Sequence, residues 1–295
     1  MTTSIALLIS FASISAISRG IISVIDRYQM GYRKQGVIEV NLINNLSSIF
    51  LVTIFFVVMM KYHRLPAFSS AYLLKMMAYA LVVQLVAYGY SYIYKKINIM
   101  QAVIVNKLSD LFIPLALFLT TGYLDSKSYF VSILSTIIIA VYIIYKEKKS
   151  ALNLNALIKS FLVIVPLLVF QSAISPVLTK GVKNGYDLIC FTIFTIYIRG
   201  LIALIAFMLK IRHLQSFDLS KNIVLIYACR AVLTLSAQIT YTLATSSPNS
   251  SISWVFLNIT PLYSVILGAL FLHEKIDWRD GLVILLIFIL ALIPK

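Results

Sequence analysis

The sequence has few acidic residues and lacks the signatures of most soluble enzymes. Ten Asp and Glu residues stand against 25 Lys and Arg residues. It has no Walker A loop, so nothing indicates nucleotide hydrolysis. The three histidines are isolated, and no His/Cys cluster has metal-ligand spacing. The one acidic cluster, Glu274, Asp277 and Asp280, is interpreted as solvated charge at a helix end. We therefore predict no enzyme activity, no metal and no cofactor.

Cysteine is also scarce. Cys190 and Cys229 both lie inside apolar segments, which indicates buried thiols rather than a disulfide framework. No loop is long enough to hold a soluble domain, and none is a Gly/Ser-rich linker. The N-terminus lacks a basic region and a cleavage site, so the first apolar segment is predicted to be retained as a helix.

Long apolar segments fill the chain. It is 61% hydrophobic with a mean hydropathy of +0.95, whereas a soluble domain is about 45–50% apolar. A spanning helix needs about 20 apolar residues and a barrel strand about ten alternating ones. The segments therefore favour an all-α membrane protein. Ten transmembrane helices are predicted, at 4–25, 37–60, 72–94, 98–121, 128–146, 156–179, 185–209, 222–245, 250–272 and 280–294.

The ten helices form two similar sets of five, 1–150 and 151–295. The tetrapeptide Ser-Ala-Ile-Ser lies in the opening helix of both sets, at 15–18 and 172–175. A displacement of 151 residues lays the third to fifth helices over the eighth to tenth. Because an odd number of crossings turns the second set upside down, we predict two inverted five-helix repeats in one membrane domain. Inverted repeats are a common architecture of alternating-access transporters.

The net charge of +15 would indicate nucleic-acid binding in a soluble protein. Here most Lys and Arg residues lie in short loops, where they set topology and meet anionic headgroups. We therefore predict contact with the lipid bilayer and none with nucleic acid. Loops on the N-terminal side carry about half as many Lys and Arg residues as loops on the other side, which favours an external N-terminus.

Five charged residues lie away from the ends of the predicted helices: Arg19, Lys107, Asp110, Arg199 and Arg230. A charge at a helix centre costs about 2.5–3.5 kcal/mol on insertion scales, so these side chains are predicted to face the bundle interior or a watered cavity. Lys107 and Asp110 are three residues apart and can pair along one helix face. Asp110 can instead neutralise Arg199 or Arg230 from a neighbouring helix. Arg19 is close enough to its helix end to reach the headgroups.

Asp110 is the one acid away from the ends of the predicted helices, so at least two cations are predicted to lack an acidic partner, unless Glu39 or Asp187 reaches in from a helix end. Surplus positive charge suits a carboxylate or phosphate, which Arg can bind with two hydrogen bonds. The candidate anion-binding residues are Lys107, Arg199 and Arg230, with Arg19 as a further candidate. Asp110 is the candidate charge partner and proton-coupling site.

Tyr79 and Tyr90, on the tyrosine-rich third helix, are predicted to wall the cavity. Because aromatic faces also bind quaternary ammonium groups, choline or another organic cation is an alternative substrate. On the second helix, hydrogen bonds to other helices are predicted for Asn41, Asn44 and Asn45.

The overlay of the two sets adds a second wall. Lys107 overlies Asn258, and a pseudo-twofold axis would bring these positions together near the midplane. Trp254 precedes Asn258 by one turn on the same face, so both are predicted to line the cavity. The alternative for Trp254 is the aromatic belt at the membrane surface.

The run Leu257–Ile276 is a Pro-led apolar helix that ends in Leu-His-Glu, and Trp278 and Gly281 follow it. It resembles the ninth and tenth helices of the drug/metabolite transporter superfamily, EamA-like branch. Glu274 occupies the Glu position of that pattern, and His273 replaces the usual Gly.

This resemblance implies ten helices in the cytoplasmic (inner) membrane, with helices 1–4 and 6–9 around a central cavity and helices 5 and 10 at the edge of the bundle. It implies secondary transport of a small polar metabolite, and both termini in the cytoplasm, against the loop charges. We expect an anionic substrate, a proton as candidate coupling ion, and a monomer or weak homodimer. A flippase for lipid intermediates is the alternative from a different functional class.

Overall fold

The computed structural model describes residues 5–61, 69–122, 126–148, 153–179, 185–210, 220–245, 256–257, 259–275 and 277–291. Every regular element in these ranges is helical, as the predicted all-α class requires. The α-helices are α1 Ile5–Arg27, α2 Val37–Met60, α3 Ser70–Lys96, α4 Ile99–Leu108, α5 Ile113–Thr121, α6 Ser126–Lys148, α7 Leu154–Thr179, α8 Gly185–Leu209, α9 Lys221–Thr245, α10 Thr260–Leu272 and α11 Trp278–Ala291.

Eight spans within the described ranges are long and apolar enough to cross a membrane, with α4 and α5 counted as one span. The helix α10 is also apolar but has 13 residues, and α11 has 14. Both are shorter than the roughly 20 residues that a straight crossing needs.

The first span is longer than predicted. After α1 the chain continues through a π-helical turn, Tyr28–Tyr32, so that the apolar span runs over Ala6–Tyr32. A π turn inserts an extra residue into each hydrogen-bonded ring, and such turns are frequent at functional sites.

The fourth span is broken in its middle. A 3₁₀ turn, Ser109–Leu111, separates α4 from α5, and Pro114 lies at the start of α5. Proline has no N–H, and its ring excludes the carbonyl of the residue four positions earlier from the helical ladder. That residue is Asp110, so the break and the charged side chain coincide.

The helices pack as one bundle in which the two halves of the chain alternate. The helix α1 packs on α9 and α10, and α2 packs on α8 and α9. In turn α3 packs on α7 and α8, while α4 and α5 pack on α7. The helices α6 and α11 pack against each other. The centre of the bundle is therefore lined by helices from both halves.

The distribution of polar side chains is inverted relative to a soluble protein. Ser15, Gln29 and Gln84 are fully buried, whereas Leu119 and Leu209 are exposed. Such an arrangement satisfies polar groups inside the bundle and leaves apolar ones for lipid. Cys190 is buried as predicted, but Cys229 is exposed on α9, so the prediction of two buried thiols is wrong for Cys229; both are free thiols.

Candidate functional site

Asp26 and Arg230 form an ion pair between α1 and α9. Arg230 Nε and Nη2 donate to the two carboxylate oxygens of Asp26, at 2.5 and 2.8 Å. The side chains are 9% exposed for Asp26 and 13% for Arg230. Arg230 Nη1 also reaches Thr234 Oγ1, one turn further along α9, at 3.4 Å. This two-bonded geometry is the strongest that a guanidinium and a carboxylate can form.

The prediction that Asp110 is the one acid within the helices is therefore wrong. The predicted first helix ended at residue 25, which left Asp26 outside the membrane. Since the π-helical turn carries the span on to Tyr32, Asp26 is an intramembrane carboxylate. Polar residues such as Gln29 follow Asp26, so a search for continuous apolar residues does not detect that the span continues.

Arg199 lies on α8 and is buried, with 9% of its surface exposed. Its Nε donates to Gln84 Oε1 on α3 at 3.1 Å. In the part of the chain that the structure describes, no carboxylate pairs with Arg199. Arg230 is near enough to repel it electrostatically. A full positive charge is thus held in the bundle by a neutral amide.

Arg19 lies in the middle of α1, and its guanidinium stacks 4.1 Å above the ring centroid of Tyr241 on α9. It does not snorkel to a helix end as the sequence allowed. Within the described ranges Arg19 also has no carboxylate partner. With Arg230 held by Asp26, and Lys107 by Asp110, the cations left over are Arg19 and Arg199.

Lys107 and Asp110 lie at the break in the fourth span. Lys107 Nζ is 3.1 Å from Asp110 Oδ2, along one face as the three-residue spacing allowed. Lys107 is buried, but the Asp110 side chain is 36% exposed, far more than that of Asp26. Asp110 therefore neutralises Lys107 rather than Arg199 or Arg230.

A small polar cavity lies between α2, α8 and α9. It has room for about one water molecule. Its lining residues are Asn41, Asn44, Asn45, Ser48, Ile196, Arg199, Arg230 and Thr234. Asn44 is 3% exposed, and neither its amide nitrogen nor its amide oxygen has a hydrogen-bond partner among the described residues. A buried orphan amide is costly, so its donor and acceptor are available to a molecule in the cavity.

The other two asparagines of α2 bond across to α3. Asn41 donates to Ser91 at 2.7 Å and Asn45 to Gln84 at 3.4 Å. The prediction of interhelical hydrogen bonds is confirmed for these two and wrong for Asn44.

Tyr79 and Tyr90 both lie near the charged centre. Tyr79 packs on Phe191 with ring centroids 5.4 Å apart, and it is within electrostatic range of Arg19 and Arg199. Tyr90 stacks on Tyr94 and is within range of Arg19 and Asp110. The structure thus brings both predicted tyrosines beside the predicted cations. Trp254 and Asn258 lie outside the described residues.

One end of the bundle is closed by a network around Arg27 and Glu274. At this end α1, α3 and α10 finish, and α4 and α11 begin. Arg27 Nε lies 2.9 Å from Glu274 Oε1, and its Nη1 donates to the Tyr94 carbonyl at 2.6 Å. Glu274 Oε2 accepts from the backbone N–H of Ile99 at 2.9 Å. Four helix ends are therefore tied together, and we call this network the Arg27–Glu274 closure.

The prediction that the acidic cluster is solvated is wrong for two of its three members. The Glu274 side chain is only 10% exposed, and Asp280 is 5% exposed. Asp280 accepts from Tyr142 at 2.7 Å and pairs with Lys146 at 2.8 Å, which joins α11 to α6. These acids meet cations of other helices, a pairing that local sequence does not show.

These features describe a polytopic helical membrane protein whose interior holds several charged side chains, of which Arg199 is held by a neutral amide. Residues 159–293 match the EamA-like transporter family, part of the drug/metabolite transporter superfamily. The resemblance carried by the run Leu257–Ile276 is confirmed, because this run lies within the stretch that matches this family of membrane transporters. No curated protein matches the chain.

Proposed function

We propose that this protein is a secondary transporter, not an enzyme, and that it moves a small anionic metabolite across the cytoplasmic membrane by alternating access. The observation that carries the proposal is the pair of intramembrane cations, Arg19 and Arg199, which have no carboxylate partner in the described ranges. Intramembrane charges of this kind mark substrate and ion pathways.

An anionic substrate group offsets the surplus charge. Burying an uncompensated charge is expensive, and a carboxylate or phosphate beside Arg199 would supply the missing partner. Asn44 would complete the site, because its orphan amide faces the same cavity and can both donate and accept. The positive charge thus selects an anion, and the Asn44 amide orients the anion in the cavity.

The remaining candidates are assigned around this centre. Arg230 supplies further positive charge in the cavity lining and Lys107 supplies it outside that lining, each moderated by an acid, Asp26 and Asp110 respectively. The proposed walls are Tyr79, Tyr90, Trp254 and Asn258. Both halves of one chain line the cavity, so a monomer is sufficient.

We further propose that residues 1–150 and 151–295 are inverted repeats of five helices each. The packing supports this, because the most extensive contacts between helices are kept when each helix is exchanged for its counterpart. The contacts of α1 with α9 and α10 correspond to those of α7 with α3 and with α4 and α5. The contact of α2 with α9 corresponds to that of α8 with α3, and α2–α8, α4–α10 and α6–α11 map onto themselves.

Two local features support the same symmetry. Displaced by 151 residues, the break before α5 falls at the start of α10, where Pro261 occupies the position of Asp110. Gly122 and His273 end α5 and α10 with the same left-handed backbone, φ 71° and 52°. A pair of helices interrupted at corresponding positions is the usual location of a transporter's substrate site.

The cavity as described is occluded. It is too small for a metabolite, and the Arg27–Glu274 closure shuts one end of the bundle. Transport therefore requires this network to open in another state, with the repeats moving against each other.

We keep both termini in the cytoplasm, as the family resemblance implies. In that orientation the Arg27–Glu274 closure faces outward, and so does the more basic set of loops. Fusion of a compartment-specific reporter to the C-terminus tests this; a periplasmic or external signal would reverse the orientation.

Uptake into proteoliposomes tests the function. Purified protein is reconstituted, and entry of radiolabelled succinate, inorganic phosphate, sulfate and choline is compared with empty liposomes. We expect saturable entry of at least one anion and none of choline. Choline entry without anion entry would support the organic-cation alternative instead.

A further inference from the structure

We propose that Asp26 is the proton-coupling residue of this transporter, and that one proton is taken up on Asp26 for each anion bound at Arg230. The inference rests on the proposed anion transport. It assigns the coupling ion to an acid other than Asp110, at a position that the apolar pattern of the sequence placed outside the membrane.

The geometry sets up a competition. Asp26 occupies both donor nitrogens on one edge of the Arg230 guanidinium. Arg230 lines the cavity beside Arg199 and Asn44, where the anion is proposed to bind. An anion that engages the same edge of Arg230 must displace the Asp26 carboxylate, because one edge cannot serve two carboxylates.

Displacement makes a proton necessary. The Asp26 side chain is 9% exposed, and without Arg230 it would be a buried carboxylate with no counter-charge, which is strongly unfavourable. A proton on the displaced oxygen removes that charge. The Arg230–Asp26 ion pair is broken, the Arg230–anion pair is formed, and the proton from solvent ends on Asp26. The net charge added by a monoanion and its proton is zero.

The neighbours of Asp26 offer no better partner. From α9 it faces Arg230 and Tyr227, and from α3 it faces Tyr94. The titratable group that α10 presents to α1 is Tyr263, which packs against Gly20 almost two turns away. The titratable group on α4 is Lys107, which already pairs with Asp110. On its own helix Arg27 is engaged by Glu274. Once Asp26 is displaced from Arg230, protonation of Asp26 is therefore what compensates its negative charge.

Asp110 is less suited to the role. Its side chain is 36% exposed and its partner Lys107 does not line the cavity. An anion in the cavity can leave the Lys107–Asp110 pair intact, so binding there has no reason to change the protonation of Asp110.

Asp26 also adjoins the Arg27–Glu274 closure. Consecutive residues of α1 thus hold α9 on one side and the α10–α11 turn on the other. Release of Asp26 would loosen the end of α1 at the point where the closure is anchored, which connects anion binding to opening.

Isothermal titration calorimetry of the purified full chain tests the proposal. Sulfate and succinate are titrated in two buffers of different ionisation enthalpy, which gives the number of protons taken up per anion. Sulfate carries no group that titrates near neutral pH. For the wild type we expect about one proton per sulfate, and affinity that falls about tenfold per pH unit where the linkage is complete.

Two variants locate the proton. Asp26→Asn should bind sulfate without proton uptake and, at pH 8, about tenfold more tightly, because the competitor is gone and no proton is needed. Asp110→Asn should keep the proton uptake. If Asp26→Asn folds poorly, the wild-type proton count and its retention in Asp110→Asn still decide. If sulfate and succinate bind without proton uptake, the role of Asp26 is wrong but anion transport stands. The same holds if proton uptake is lost in Asp110→Asn and kept in Asp26→Asn. No binding of either anion overturns both the role of Asp26 and the proposed function.

Discussion

Arg199→Gln is expected to reduce anion uptake strongly while leaving a folded protein. Arg199 is the buried cation of the cavity with no carboxylate partner in the described ranges. Loss of a hydrogen-bonded charge contact of about 1.5–3 kcal/mol corresponds to an affinity lower by about 10- to 100-fold. Because no acid is orphaned by the change, the thermal unfolding midpoint should stay the same or rise.

The measurement is anion uptake in proteoliposomes together with thermal unfolding in detergent. Lys221→Gln is the matched control, since it removes a positive charge from the exposed first residue of α9. Uptake in Lys221→Gln should equal that of the wild type. Normal uptake in Arg199→Gln would show that the anion is not held in this cavity.

Arg230→Gln is expected to behave differently, with a large loss of stability. It would leave Asp26 buried and unpaired, and removal of one partner of a buried ion pair costs about 3–5 kcal/mol. Loss of transport in this variant is therefore not evidence of substrate contact by itself. Thermal unfolding in detergent measures the effect.

A second substitution separates the two explanations. The double variant Asp26→Asn with Arg230→Gln removes both charges, so it should regain most of the stability that Arg230→Gln loses. A double variant that is no more stable than Arg230→Gln would mean that the ion pair does not hold α1 against α9.

Much of the fold follows from the sequence because the membrane restricts the solutions. Apolar runs of about 20 residues predict spanning helices, since lipid offers no partner for exposed backbone groups. The predicted 37–60 and 185–209 agree with α2 and α8. The first span could not be predicted, because its π-helical turn, Tyr28–Tyr32, is not apolar enough to extend the run.

The candidate site could also be predicted only in part: the sequence indicates its charged residues but not their partners. The free-energy cost of a charge in the membrane depends on residue type and depth alone. The sequence therefore predicted the charged candidates Arg19, Lys107, Asp110, Arg199 and Arg230. Their partners depend on packing between distant segments. Asp26 meets Arg230 across 204 positions, and Gln84 meets Arg199 across 115. Nor could the sequence show that Asn44, alone among the three asparagines of α2, lines the cavity with an amide that has no partner among the described residues.

We propose that buried positive charge carries an anion across the membrane. Uptake of labelled succinate, phosphate, sulfate and choline by the wild-type protein in proteoliposomes is the direct test. We expect saturable uptake of an anion, for which the other anions compete and choline does not. Uptake of choline with no entry of any anion would contradict it.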